Sequence, residues 1–149
     1  MYVSVIGGDA GSAGRNDLDR AVELGEKLAE KGHTIVCGGR GGVMRAVCKG
    51  AKKKDGETIG ILPSSDRKEA NEFIDHAIVT DLGMMRNSLV VMNGDVVIAV
   101  DGGYGTLSEI CFAYKYGKRI LGIGTWELDV VDNFESVDEL IDRFEKFKS

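Results

Sequence analysis

The chain has one proline, one tryptophan and two histidines among its 149 residues. The lone proline rules out a proline-rich spacer, and no stretch is biased enough in composition to act as a linker. The histidines, His33 and His76, stand apart from each other and from other ligands, so no metal-binding spacing is present. There are three cysteines, Cys37, Cys48 and Cys111, without a C-x-x-C pair. An odd, scattered set argues against a disulfide framework and for buried free thiols in a reducing cytoplasm. No apolar run approaches the roughly 20 residues of a membrane span. An apolar strand begins at Tyr2, which leaves no room for a basic-then-apolar leader. A basic surplus is missing too: 19 Lys and Arg against 24 Asp and Glu give a net charge of −5. That balance speaks against nucleic acid as a partner, because phosphate backbones demand a basic face. The one basic run, Lys52-Lys53-Lys54, ends a helical pattern, where cations favour the helix dipole.

Glycine, by contrast, is abundant, with 21 residues gathered in a few clusters. Between them strands and helices alternate. Tyr2–Ile6, Thr34–Cys37, Thr58–Leu62, His76–Val79, Asp95–Val100 and Arg119–Ile123 read as short strands buried on both faces. Asn16–Lys31, Val43–Lys53, Met84–Met92 and Leu107–Tyr116 read as helices, and Ser136-x-x-Glu139 opens a last one as a capping box. This alternation predicts an α/β, Rossmann-like three-layer sandwich with a mostly parallel sheet, forming a single nucleotide-binding domain over residues 1–149. In such sheets ligands bind at the carboxyl ends of strands, near the point where strand order reverses. Three glycine clusters fall at such ends: Gly7-Gly8, Gly38-Gly39-Arg40-Gly41-Gly42, and the run after Val100.

That last cluster, Asp101-Gly102-Gly103-Tyr104-Gly105-Thr106, carries the strongest chemical signal. Three glycines in four positions let the backbone come close to a ligand, and the N–H groups opening the next helix form an anion site. A phosphate suits it. The chain lacks the Gly-Lys-Ser/Thr of a P-loop, and Gly103-x-Gly105-x-x-Ser108 lacks the third glycine of a dinucleotide fingerprint; Glu127 stands near the place of a ribose-binding acid. Thr106 is suited to cap the helix. Glu109 has two readings, as the partner of Thr106 in a capping box or as a carboxylate beside a phosphate–sugar ligand. Arg86, near the start of the preceding helix, is either a solvated arginine or a bidentate grip on phosphate. Gly8, Gly39 and Gly41 complete the candidate binding set.

These residues resemble the Lonely guy (LOG) superfamily, once labelled lysine-decarboxylase-like. Asp101 to Glu109 matches its Pro-Gly-Gly-x-Gly-Thr-x-x-Glu motif except at the proline, and Gly38 to Met44 is similar to its second glycine stretch. Arg86 matches the family's arginine in a methionine-rich helix. The resemblance implies a Rossmann-like, commonly dimeric protein. Its active members are phosphoribohydrolases, cutting the N-glycosidic bond of a nucleoside 5′-monophosphate without a resident cofactor. It further implies that Arg86 and Glu109 are the catalytic pair and that Gly102–Thr106 hold the phosphate. Asn87 stands where active members have lysine, Asp101 where they have proline, and Ser108 where many have glutamate. These differences resemble the branch of molybdenum cofactor carriers. The alternative to a hydrolase is therefore a non-catalytic carrier or sensor of a nucleotide-like cofactor. A homodimer with Met85, Leu89 and Met92 partly in its interface is expected from the same resemblance and from the methionine-rich helix.

Overall fold

The computed structural model describes residues 1–147; positions 148 and 149 of the expected unit lie outside the described residues. Among the described residues seven strands form one sheet: β1 (Tyr2–Gly7), β2 (Thr34–Cys37), β3 (Thr58–Leu62), β4 (His76–Val79), β5 (Val96–Val100), β6 (Arg119–Ile123) and β7 (Asp132–Phe134). Their order is β4-β3-β2-β1-β5-β6-β7 and every pairing is parallel. The helices are α1 (Arg15–Glu30), α2 (Val43–Lys53), α3 (Arg86–Met92), α4 (Tyr104–Lys115) and α5 (Val137–Lys146).

The alternation of side chains along each strand divides the core into two layers. Val3 and Val5 of β1, with Val96, Ile98 and Val100 of β5, pack against Leu24 and Leu28 of α1, Val47 of α2 and Phe144 of α5. Ile6, Val97 and Ala99 point the other way, against Val90 and Val91 of α3 and Ile110 of α4. Ser4 also faces this second layer, and its hydroxyl donates to the Val90 carbonyl at 2.6 Å. The result is the expected three-layer α/β sandwich, with the mostly parallel sheet parallel throughout.

Four strands and α2 coincide with the expected ranges; the other differences are local and have physical causes. β7 was not expected, because Asp132-Asn133-Phe134 is short and polar; it joins the sheet at the edge beside β6. The stretch Met84–Met92 is not one helix: a 3-10 turn over Gly83–Met85, with Gly83 at φ 60°, precedes α3. The helix after β5 begins at Tyr104 rather than Leu107, with Gly103 as N-cap and no side chain capping it. Thr106 therefore lies inside the first turn, so neither it nor a Thr106–Glu109 box caps the helix. The box at α5 does form in part: Ser136 Oγ accepts from Glu139 N at 3.2 Å, while Glu139 reaches back to Glu135 N.

The basic run at the end of α2 is neutralised. Lys52 pairs with Asp75 at 2.8 Å, Lys53 with Glu26 at 3.3 Å and Lys54 with Glu30 at 3.1 Å. Among the described residues no helix is long and apolar enough to cross a membrane, and no three His, Cys, Asp or Glu residues are grouped to hold a metal ion. All three cysteines are free; Cys37 and Cys48 are buried as expected, whereas Cys111 is exposed on the outer side of α4.

Candidate functional site

Strand order reverses at β1: the chain runs outward through β2, β3 and β4 on one side, then returns to β5 on the other. The carboxyl ends of β1 and β5 thus splay their loops apart and leave a crevice between them. The packing there demands glycine. A Cβ on Gly7 would sit 2.2 Å from the Val100 carbonyl, and one on Gly8 would sit 2.6 Å from Asp101 Oδ2. A cavity of about 370 Å³ opens at this point. Gly8, Asp9 and Ser12 line it from the β1 side, Gly38 and Met44 from the β2 side, Arg86 and Asn87 from α3, and Gly103 to Thr106 with Glu109 from α4. A second cavity adjoins it, bounded by Asp9, Arg40, Gly41, Met44 and Arg86.

The start of α4 supplies the anion-binding geometry. The first intrahelical bond is Leu107 N to Gly103 O, at 3.0 Å. The preceding N–H groups thus have no partner within the helix, and the dipole adds positive potential there. Gly102 is glycine for the fold: φ is 121°, and a Cβ would lie 2.4 Å from Thr106. Gly103 and Gly105 are different. A Cβ on either would meet nothing within 4 Å, so no packing contact requires their bareness. Both line the cavity, and what their missing side chains leave is open approach to the helix N-terminus.

Glu109 lies one turn further into α4 and is only 8% exposed. Burial pushes its carboxyl up to about 8, while the Arg86 guanidinium pulls the other way. Arg86 is the first residue of α3. Burial lowers its pKa, an effect that Glu109 opposes. Its guanidinium donates to the Gly38 carbonyl at 3.4 Å and to Asn87 Oδ1. Among the described residues its Nε is buried and has no hydrogen-bond partner, an unmet donor in a polar crevice.

The other residues expected at the site are placed as follows. Gly41 lines the second cavity. Gly39, at φ 81°, packs against Leu62 and Gly60 of β3 and lines neither cavity. Gly39 and Gly103 follow β2 and β5, so they occupy one edge of the parallel sheet on either side of β1. Asp101 adopts φ 57° and Gly102 follows it; neither lines the cavity. The Asp101 carboxylate instead faces Gly8 and, secondary to burial, helps raise the pKa of Asp17. Glu127 is exposed and lines neither cavity.

Residues 1–148 match the SLOG cluster4 family. The chain belongs to that family. An uncharacterized protein of Archaeoglobus fulgidus is 46% identical over 83% of this chain and 80% of its own length. The cytokinin riboside 5′-monophosphate phosphoribohydrolase of Mycobacterium tuberculosis is 33% identical over 73% of this chain, and the match spans 63% of that enzyme. Among solved structures, the molybdenum cofactor binding protein of Rippkaea orientalis superposes with a TM-score of 0.93 at 35% identity, covering 99% of this chain and 97% of that one. The molybdenum cofactor carrier protein of Chlamydomonas reinhardtii gives 0.91 at 31% identity, covering 99% and 97%. The LOG-like superfamily, on its molybdenum cofactor carrier side, is therefore where this SLOG protein falls.

Some lining residues of this SLOG protein carried little sequence signal. Asp9 and Ser12 follow the Gly7-Gly8 pair, and Asp9 Oδ1 accepts from Gly11 N at 3.0 Å and Ser12 Oγ at 3.1 Å; an Asx turn after the first glycine pair was the available clue. Met44 lines both cavities from the first turn of α2; it closes the second glycine stretch, but an apolar residue there gives no sign by itself that it faces a ligand. Trp126 donates from Nε1 to the Gly103 carbonyl at 3.0 Å and so braces the loop, yet it stands 23 positions away in an irregular segment.

Proposed function

We propose that this protein binds a nucleoside 5′-monophosphate, or a close relative of one, at the β1/β5 crevice. In this reading it hydrolyses the bond between base and ribose. The observation that carries this is the convergence of an open helix N-terminus, the Arg86 guanidinium and the buried Glu109 carboxyl on one cavity. The phosphate sits against the N–H groups of Tyr104, Gly105 and Thr106, with Arg86 as its second anchor. The ribose then passes Glu109, whose side chain leans back towards the start of its helix. As the C1′–N bond breaks, its electron pair leaves on the base and positive charge grows on the sugar ring. The ionised Glu109 carboxylate stabilises that charge and orients the water whose oxygen bonds to C1′. The base takes up the proton, and ribose 5-phosphate remains. No resident cofactor enters this scheme.

A non-catalytic carrier of a nucleotide-like cofactor is the second reading. It is favoured by the match over nearly the whole of both chains to molybdenum cofactor binding and carrier proteins. The phosphoribohydrolase relatives, by contrast, extend beyond the matched part. Burial also keeps most of Glu109 uncharged at neutral pH, which suits a binding site better than an oxocarbenium stabiliser.

The deciding experiment incubates the protein with adenosine 5′-monophosphate between pH 7 and 9 and assays free adenine and ribose 5-phosphate. A hydrolase releases both, faster as pH rises through about 8, and Glu109→Gln abolishes release while sparing binding. Binding without release in the unaltered protein establishes the carrier reading.

We also place the protein in the cytoplasm, where its free thiols are stable, and in a homodimer. Support for the dimer comes from Met84, Met85 and Met92, all exposed at or just before α3, and from an apolar groove lined by Tyr2, Ile59, Ile78 and Leu89.

A further inference from the structure

Tyr104 is 83% exposed, more than any other large hydrophobic side chain among the described residues, although it lines the cavity. It is the first residue of α4, so its ring projects from the same turn that presents the anion-binding N–H groups. Behind it stands Trp126, the only tryptophan of the chain. The two ring centroids are 6.0 Å apart with a tilt of 39°. Trp126 is fixed at both its ends: its indole Nε1 donates to the Gly103 carbonyl at 3.0 Å, and its own carbonyl accepts from Asn133 Nδ2 of β7 at 3.0 Å. A braced aromatic pair thus flanks the phosphate loop on its open side. An unburied ring held in this way forgoes hydrophobic stabilisation in the free protein and recovers it only when something flat covers it.

We propose that Tyr104, backed by Trp126, is the stacking platform for the planar heterocycle of the ligand, and so makes a ligand with a fused aromatic ring bind more tightly than its bare sugar phosphate. This rests on the reading that the α4 N-terminus holds the ligand's phosphate. The 6.0 Å centroid separation is too small for a ring to slip between the two side chains. Two stacking contacts at about 3.5 Å each would need about 7 Å. The heterocycle therefore lies on the outer face of Tyr104, with Trp126 holding the inner face. The fused ring of a purine nucleotide satisfies this demand, because stacking reads a π-face and not a hydrogen-bonding edge.

The test is calorimetric titration with two probes: carbocyclic adenosine 5′-monophosphate, whose base–sugar link resists hydrolysis, and ribose 5-phosphate. The unaltered protein is compared with Tyr104→Ala and Tyr104→Phe. The expected result is that Tyr104→Ala loses about tenfold to a hundredfold in affinity for the nucleotide analogue. Its affinity for ribose 5-phosphate should stay within about twofold, and Tyr104→Phe should keep both. Equal nucleotide affinity in Tyr104→Ala and the unaltered protein overturns the platform and leaves the phosphate reading standing. Equal losses for both probes overturn it as well, since they mean that Tyr104 serves the phosphate loop. If the unaltered protein binds neither probe, the platform and the reading beneath it both fall.

Discussion

The carboxyl of Glu109 is buried within the field of the Arg86 guanidinium, yet burial outweighs that attraction and raises its pKa from the ordinary 4.5 to about 8. The guanidinium directs its hydrogen bonds to the Gly38 carbonyl and to Asn87 Oδ1. The two groups therefore share a cavity in which the carboxyl is protonated at neutral pH.

A stability consequence follows from that raised value. The folded protein holds the Glu109 proton over a range where the unfolded chain has released it. Its contribution is fully present below about pH 4.5 and is lost as pH rises, completely so above about pH 8. Within that window the loss amounts to at most about 1.4 kcal/mol per pH unit. Glu109→Gln carries no ionisable group and should flatten this part of the profile. Urea unfolding at pH 5, 6.5 and 8 should show the variant gaining on the unaltered protein at each step. Parallel profiles would mean that Glu109 ionises normally.

Arg86→Ala removes the one cation that lines both cavities from α3. A charge-assisted contact to phosphate contributes about 1.5–3 kcal/mol, so affinity for adenosine 5′-monophosphate should fall by about tenfold to a hundredfold. Losing the guanidinium also removes what holds the Glu109 value down, so that carboxyl should titrate still higher. Calorimetry checks the first effect and carboxyl-region NMR the second. Unchanged affinity would make Arg86 a structural link between α3 and Gly38.

Much of the fold was legible because buried parallel strands are short, β-branched and bounded by glycine. Thr34–Cys37 and Arg119–Ile123 advertise themselves in this way. β7 did not, since an edge strand of Asp-Asn-Phe needs only backbone pairing with β6 and leaves no hydrophobic alternation. At the site, Gly103, Gly105, Arg86 and Glu109 stood out by motif. The start of α4 was misplaced because Thr106 looks like a cap, whereas a bare glycine at the N-cap, Gly103, is what keeps the helix end open. Trp126 was invisible, because only folding brings its indole to the Gly103 carbonyl.

The homodimer has its own test. Met85 is 64% exposed and Met92 45%, and Leu89, between them in sequence, helps to line an apolar groove. Light scattering at micromolar concentration should give twice the 16.1 kDa chain mass. Met85→Glu combined with Met92→Glu should return it to one chain mass with little change in monomer stability, because neither side chain is buried. A monomeric unaltered protein would remove the dimer.

Gly102 and Gly105 stand three positions apart and should respond in opposite senses to the same added methyl group. Gly102 holds φ at 121°, and a Cβ there would press on Thr106 at 2.4 Å. Gly102→Ala is therefore strained and should destabilise the fold by about 1–3 kcal/mol. Gly105 lies in the first turn of α4 with open space around its Cβ position. Alanine there lowers the conformational freedom of the unfolded chain and favours the helix, which should raise stability by about 0.5–1 kcal/mol. The new methyl would, however, project into the cavity where the phosphate approaches the helix N-terminus. Losing one charge-assisted contact of about 1.5–3 kcal/mol makes the expected affinity loss about tenfold or more. Thermal melts and nucleotide titrations of the two variants read both quantities. A stabilised Gly105→Ala protein that binds nucleotide as well as the unaltered one would show that the phosphate does not sit at this helix end, and with it the assignment of the loop would fail.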